Sequence, residues 1–137
     1  MKFMVCYDSS DLSKYVVKEA QKHAGVWNAS LVIVQVVRRE DPIEHFKLLA
    51  MEEEFAAEIQ VLFEDVDIPY DVQFLVDDID EANKVIELAE RKNIDLIFIG
   101  PKKRSKVGKI LFGSTAQLII LNAGCPVVTI TRMAVKQ

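Results

Sequence analysis

Short apolar segments alternate with stretches of helical periodicity along this chain of 137 residues. Five of the apolar segments have the length and the Val, Ile and Phe content of strands, and four amphipathic stretches separate them. Strands that alternate with helices favour right-handed crossovers, and therefore a parallel sheet with helices on both faces. The predicted strands lie near residues 3–7, 30–37, 70–76, 95–100 and 126–131.

Capping signals place the helices between these strands. Ser10 is positioned to cap the first helix, whose apolar pattern stops at Gly25. Asp41 and Pro42 mark the start of the second helix, as its N-cap and its first residue. A third helical pattern runs over 82–89, and a short fourth helix ends near Gly124. The third strand alternates in polarity, which predicts that it lies at an edge of the sheet.

Length, charge and hydropathy limit the classes of protein that this chain can belong to. The chain is about one domain long, and no linker rich in Pro or Gly divides residues 1–137. No apolar run reaches the ~20 residues that a membrane span needs, and the apolar N-terminus is too short for a signal peptide. We therefore expect a cytoplasmic protein without a membrane segment. The net charge of -4 argues against general binding to nucleic acid.

Two segments that follow predicted strands contain charged residues that suit a ligand site. In a doubly wound sheet, ligands bind beyond the carboxyl ends of the strands at the point where the winding reverses. Asp8 places a carboxylate directly after the first strand. After the fourth strand, residues 101–109 contain cations and no acid, although the chain is acidic overall. The cations are Lys102, Lys103, Arg104, Lys106 and Lys109.

The basic segment leads into a helix start that suits an anion. Gly108 and Gly113 allow the backbone to approach a ligand closely, and Ser114 and Thr115 open the fourth helix. A helix N-terminus presents unpaired N–H groups and a partial positive charge. These features indicate a phosphate site. The alternative is an ordinary solvated loop, with Ser114 acting only as a helix cap. Neither a Walker motif nor a dinucleotide-binding glycine fingerprint is present in the sequence.

The same segment resembles a motif of the universal stress protein family. In that family the fourth strand ends in the pattern Gly-x2-Gly-x9-Gly-[Ser/Thr], which holds the phosphates of ATP. Gly100, Gly113 and Ser114 have this spacing here, and Lys103 replaces the second glycine. The opening VCYDSSDLSKYVVKEA and the ending AGCPVVTI are also similar to the family, so the resemblance covers 1–132.

The resemblance implies a single nucleotide-binding-type α/β domain and the strand order 3-2-1-4-5. It implies that Asp8 meets the ribose or adenine of ATP, with Mg as the accompanying ion, and that Val36 or Val37 contacts the adenine. It further implies that the ribose and phosphates are held by the 101–108 loop and residues around it. The residues implied there are Gly100, Lys103, Arg104, Gly108, Gly113, Ser114 and Thr115.

Two functional classes remain open. The first is a stress-response or signalling module that senses an adenine nucleotide, with slow hydrolysis at most. The second acts through dimerisation and protein contacts without a nucleotide, and it is favoured by Lys103 and Ile79, which stand where nucleotide-binding members have glycines. A relative of the electron-transfer flavoproteins is a distant third. The sequence shows no nucleophile–base pair, so we do not predict a fast enzyme.

Two further interpretations concern metals and assembly. Asp77, Asp78 and Asp80 form an acidic cluster that suits either a divalent cation or, as we interpret it, a solvated helix start. The last predicted strand contains VVTIT at 127–131, without charge or proline. In the implied order this strand lies at a sheet edge, and an unprotected edge favours pairing. We therefore predict a homodimer in which two copies of 127–131 pair antiparallel.

Overall fold

A computed structural model describes residues 1–38, 45–77, 80–100, 103–104, 110–111 and 113–131, with 103–104 and 110–111 described by their backbone. Strands and helices alternate through it as predicted. The elements are β1 (Lys2–Cys6), α1 (Asp11–Trp27), β2 (Ser30–Arg38), α2 (His45–Leu62), β3 (Tyr70–Asp77), α3 (Glu81–Arg91), β4 (Leu96–Ile99), β5 (Lys103–Arg104), β6 (Ile110–Leu111), α4 (Ser114–Asn122) and β7 (Val127–Thr129).

Five strands form one parallel sheet in the order β3-β2-β1-β4-β7. Since β7 is the fifth of the predicted strands, this is the predicted order 3-2-1-4-5, which is confirmed. The edge position of β3 is confirmed as well. The sequence did not reveal a small antiparallel hairpin, in which Lys103 pairs with Leu111 and Arg104 with Ile110. This hairpin inserts β5 and β6 between β4 and α4 and forms a sheet of its own.

Each face of the sheet is covered by two helices. The side chains of Phe3 and Val5 pack in one buried cluster with α1 and α2, whereas Met4 packs in a second cluster with α3 and α4. Successive residues of a strand point to opposite faces, so the continuous apolar run of β1 supplies both layers. The helices therefore change face between β3 and β4, and the winding of the chain reverses beside β1.

The start of the first helix is as predicted, but its predicted end is wrong. The Ser10 side chain accepts a hydrogen bond from the Ser13 N–H at 3.0 Å, which confirms it as the N-cap. Gly25, however, lies inside α1, which continues to Trp27. Asn28 ends the helix in the left-handed conformation, with φ 54°, and its N–H donates to the Ala24 carbonyl. An exposed glycine weakens a helix without stopping it, whereas Asn tolerates the left-handed turn.

The remaining helix boundaries agree with the sequence where they can be compared. The predicted capping by Asp41 and Pro42 lies outside the described residues, and α2 is described from His45 onward. Asp80 caps α3 by accepting from the Asn83 N–H at 3.1 Å. The start of α4 at Ser114 and its end near Gly124 are confirmed. None of the helices in the described part of the chain has the length and apolar character that a membrane span requires. The cytoplasmic location stays a prediction.

Replacing Gly25 by alanine tests where the first helix ends. A Cβ added at Gly25 meets no described atom within 4 Å, and the residue is exposed in a helix interior. We therefore expect Gly25→Ala to raise the free energy of unfolding by about 0.5–1 kcal/mol, measured by urea denaturation. The matched control is Asn28→Ala, which should lower it by about 1 kcal/mol because alanine resists a positive φ. If Gly25→Ala lowers the free energy of unfolding, the helix ends at the glycine instead.

Candidate functional site

A cavity of about 550 Å³ opens where the winding reverses, at the carboxyl ends of β1, β2 and β4. Three helices, α1, α3 and α4, also direct their first turns toward it. This volume lies within the range of about 300–1,000 Å³ that is common for small-molecule sites. The described lining consists of Cys6, Tyr7, Asp8, Ser10, Leu12, Ser13, Val34, Val36, Glu81, Val85, Ile99, Gly100, Gly113, Ser114, Thr115, Ala116 and Ile119.

Asp8 is held at the tip of β1 by hydrogen bonds to the start of α1. Its Oδ1 accepts the N–H of Ser10 at 3.0 Å, and its own N–H donates to Ser13 Oγ at 3.3 Å. These bonds fold the chain back into α1 directly after the strand. As a result the carboxylate of Asp8 borders the cavity in a fixed turn rather than on a loose loop.

A second set of contacts ties the same turn to α2. Ser9 adopts a left-handed backbone, with φ 67°, and its hydroxyl donates to Glu58 Oε2 at 2.7 Å. The Tyr7 hydroxyl donates to the same oxygen at a longer 3.4 Å. Burial, followed by the negative charge of Glu58, raises the pKa of Tyr7 to about 12. Tyr7 therefore stays protonated at physiological pH and remains a hydrogen-bond donor. This link could not be predicted from the sequence, because Glu58 is 51 positions away from Tyr7 and 49 positions away from Ser9 in the chain.

One wall of the cavity is apolar. Val34 and Val36 of β2 belong to the buried cluster on the α3 and α4 side, together with Val85, Ile99 and Ile119. Side chains two residues apart in a strand share a face, so Val36 lies beside Val34, whereas Val37 belongs to the opposite face. Of the two valines that the resemblance implied, Val36 is therefore the one in the described lining. Such a wall suits a flat, weakly polar group.

Gly100 and Gly113, the two ends of the motif, have different surroundings. A Cβ at Gly100 would lie 3.0 Å from Cγ and Cδ2 of Leu12 and 3.3 Å from Val16. The glycine therefore allows the end of β4 to pack closely against α1. At Gly113 an added Cβ meets no described atom within 4 Å. Space next to Gly113 is consistent with the approach of a ligand.

The first turn of α4 borders the cavity beside Gly113. Gly113 occupies the N-cap position, where it offers no side-chain hydrogen bond to the helix. Ser114 is exposed, and the Thr115 hydroxyl donates to Glu81 Oε2 at 3.5 Å, the outer limit of a hydrogen bond. The first N–H groups of a helix have no partner within it. This turn therefore attracts a negatively charged group.

The remaining predicted site residues lie in the basic segment. Lys103 and Arg104 form β5, but their side chains and Gly108 lie outside the described residues. Strand backbone is extended, so the position of Lys103 does not require the left-handed conformation for which glycine is needed. The replacement of the family glycine by Lys103 thus brings no backbone strain.

Two carboxylates are the charged groups in the described part of the lining. Asp8 approaches from β1 and Glu81 from the first turn of α3, whereas no Lys, Arg or His occurs among the described lining residues. The sequence singled out Asp8 but missed Glu81, although its position after the third strand is a usable signal. Within the described ranges, no group of three or more acidic, His or Cys side chains is arranged to hold a metal ion. Asp78, part of the acidic cluster, lies outside those ranges.

Comparisons of the sequence with known proteins point to the same family. The profile of the universal stress protein family matches residues 1–131. Universal stress protein MJ0531 from Methanocaldococcus jannaschii is 41% identical over 51 residues, which are 37% of this chain and 30% of that relative. The match thus spans less than a third of the relative's length.

Two solved structures share the fold. A universal stress protein from Archaeoglobus fulgidus aligns with a TM-score of 0.79 at 23% identity, covering 94% of this chain and 97% of that one. A structure of the universal stress protein from the same organism in complex with dAMP aligns with a TM-score of 0.74 at 20% identity, covering 94% and 96%.

Proposed function

The chain belongs to the universal stress protein family, and we propose that it is a stress-response or signalling module whose cavity binds an adenine nucleotide. The observation that carries the proposal is the cavity itself. It combines an apolar wall, a fixed carboxylate and an uncapped helix start within about 550 Å³. A family member from Archaeoglobus fulgidus has been solved in complex with dAMP, which is a ligand of this class.

Each part of the nucleotide has a matching part of the cavity. The adenine ring packs against Val36 and Ile99, where burial of its flat faces is favourable. Asp8 accepts hydrogen bonds from the ribose hydroxyls or the adenine amino group, because a carboxylate in a fixed turn is a strong acceptor. The apolar wall and the carboxylate together define the nucleoside end of the site.

The phosphates lie toward α4 and the basic segment. Ser114 donates its hydroxyl, and the N–H groups of Gly113 to Thr115 face the phosphate oxygens, as is common at helix N-termini. Lys103 and Arg104, which follow β4 in the chain as β5, are proposed to offset the phosphate charge. The full proposal is ATP accompanied by Mg, bound with Gly113 at the point of closest approach.

A second candidate function is supported by the charge of the described lining. Asp8 and Glu81 both add negative charge to the cavity, which opposes the binding of phosphates. A protein of this family that holds no nucleotide would act through protein contacts, with the basic segment as one contact surface. Titration with nucleotide separates the two candidates.

Dimerisation is a further part of the proposal. Among the described residues, β7 has no strand partner on the side away from β4, and the preceding helix α4 exposes Leu118, Ile120 and Leu121. Exposed apolar side chains next to an open strand edge favour association. We propose that a second copy covers both features by antiparallel pairing through 127–131, around a two-fold axis.

Calorimetric titration with dAMP and with Mg-ATP tests nucleotide binding. We expect Gly113→Val to weaken binding at least tenfold, because the side chain fills the space next to the helix start, and one lost charge-assisted hydrogen bond already accounts for about that factor. The matched control is Gly124→Val, since a Cβ at Gly124 also meets no described atom within 4 Å and this residue lies between α4 and β7, at the opposite end of the sheet. The control should bind like the wild type. If the wild type gives no heat at millimolar nucleotide, the protein-contact function is favoured instead.

Light scattering at micromolar concentration tests the dimer, for which we expect twice the monomer mass. The Ile130 N–H donates to the Ile99 carbonyl at 2.9 Å, so the N–H of Thr129 points to the free edge. Thr129→Pro removes this outward donor while leaving the pairing with β4 intact, and we expect it to yield a monomer. Thr129→Val is the control and should remain dimeric. A monomeric wild type would contradict the proposal.

A further inference from the structure

One carboxylate of the protein lies where the proposed function places a phosphate. Glu81 belongs to the lining of the cavity, and its Oε2 is 3.5 Å from the hydroxyl of Thr115 in the first turn of α4. This is the same turn that offers unpaired N–H groups to an anion. The chain thus brings an acidic side chain of its own to the anion-binding end of the cavity.

The position of Glu81 is fixed by the packing of α3. Asp80 caps this helix through the Asn83 N–H, and its carbonyl accepts the Lys84 N–H at 3.3 Å. One turn later, Val85 is buried in the same cluster as Ile119 of α4. The starts of the two helices are therefore held side by side. This packing keeps Glu81 next to the first turn of α4.

A negative charge at this point acts differently on ligands of different charge. Adenosine is neutral, so its proposed contacts with the apolar wall and with Asp8 are not opposed by the charge of Glu81. A phosphate group that approaches α4 has to displace the Glu81 carboxylate or bind beside it. The repulsion grows with the charge of the ligand and is strong in a partly buried site, where screening by water is weak.

We propose that Glu81 is a specificity-determining residue that makes this cavity select adenine ligands of low charge, such as dAMP, against triphosphates whose charge is not partly neutralised by Mg. The inference rests on the proposed function and gives it a narrower ligand class.

The test compares the affinities for adenosine, dAMP and ATP, measured by calorimetry in the absence of divalent cations. Glu81→Gln keeps the size of the side chain and its hydrogen bond with Thr115 but removes the charge. We expect Glu81→Gln to raise the affinity for ATP about tenfold. The increase should be smaller for dAMP, and the affinity for adenosine should change by less than about twofold. The control is Glu90→Gln, an exposed residue near the end of the same helix, which should leave the ratio of the affinities unchanged.

The outcomes separate this inference from the proposed function. If adenosine and dAMP bind but Glu81→Gln leaves the ATP-to-adenosine affinity ratio unchanged or lowers it, the inference is overturned and the proposed function stands. If ATP binds the variant but not the wild type, the inference is supported in its strongest form. If neither protein binds any of the three ligands, the proposed function fails and the inference fails with it.

Discussion

Direct pairing between β1 and β4 is the contact on which the rest of this structure depends. Because β1 pairs with β2 on one side and β4 on the other, the chain has to reverse its winding beside β1. The reversal sends α1 and α4 to opposite faces of the sheet, and their first turns separate beyond the strand ends. The cavity is the space left between them. The strands beside it are rigid, since Met4, Val5, Ile97 and Phe98 are fully buried.

The order of elements followed from residue patterns, but much of the site did not. Periodicity predicted the strands and the edge position of β3, and local signals at Ser10 and Ser114 predicted the starts of α1 and α4, because each depends on neighbouring residues in sequence. The strand order came from the family resemblance, since periodicity does not determine which parallel strands pair. The contact between Ser9 and Glu58 joins residues 49 positions apart, so it becomes visible only when α2 is placed beside the tip of β1. The contact between Glu81 and Thr115 also joins distant residues, 34 positions apart, although the position of Glu81 after the third strand was a usable signal.

The two glycines of the motif show how one pattern can have two physical causes. Gly100 is favoured by its own protein, because a Cβ there would lie 3.0 Å from the Leu12 side chain, which would have to shift. Gly113 meets no such constraint among the described residues, and its small size leaves space for the proposed ligand. A motif of spaced glycines therefore carries less functional information than its length suggests. Gly25 is a further glycine whose position does not indicate a function, since it lies in the interior of helix α1.

The central claim is that the cavity at the reversal point binds an adenine nucleotide, and it is tested most directly by two-dimensional ¹H–¹⁵N NMR during titration with dAMP. We expect the amide signals of Asp8, Gly100, Ser114 and Thr115 to shift on binding, because these residues line the cavity. Signals at the other end of the sheet, such as Asn93 and Gly124, should stay in place. Unchanged signals around the cavity at millimolar dAMP, or shifts confined to the opposite end, would show that the nucleotide does not bind in this cavity.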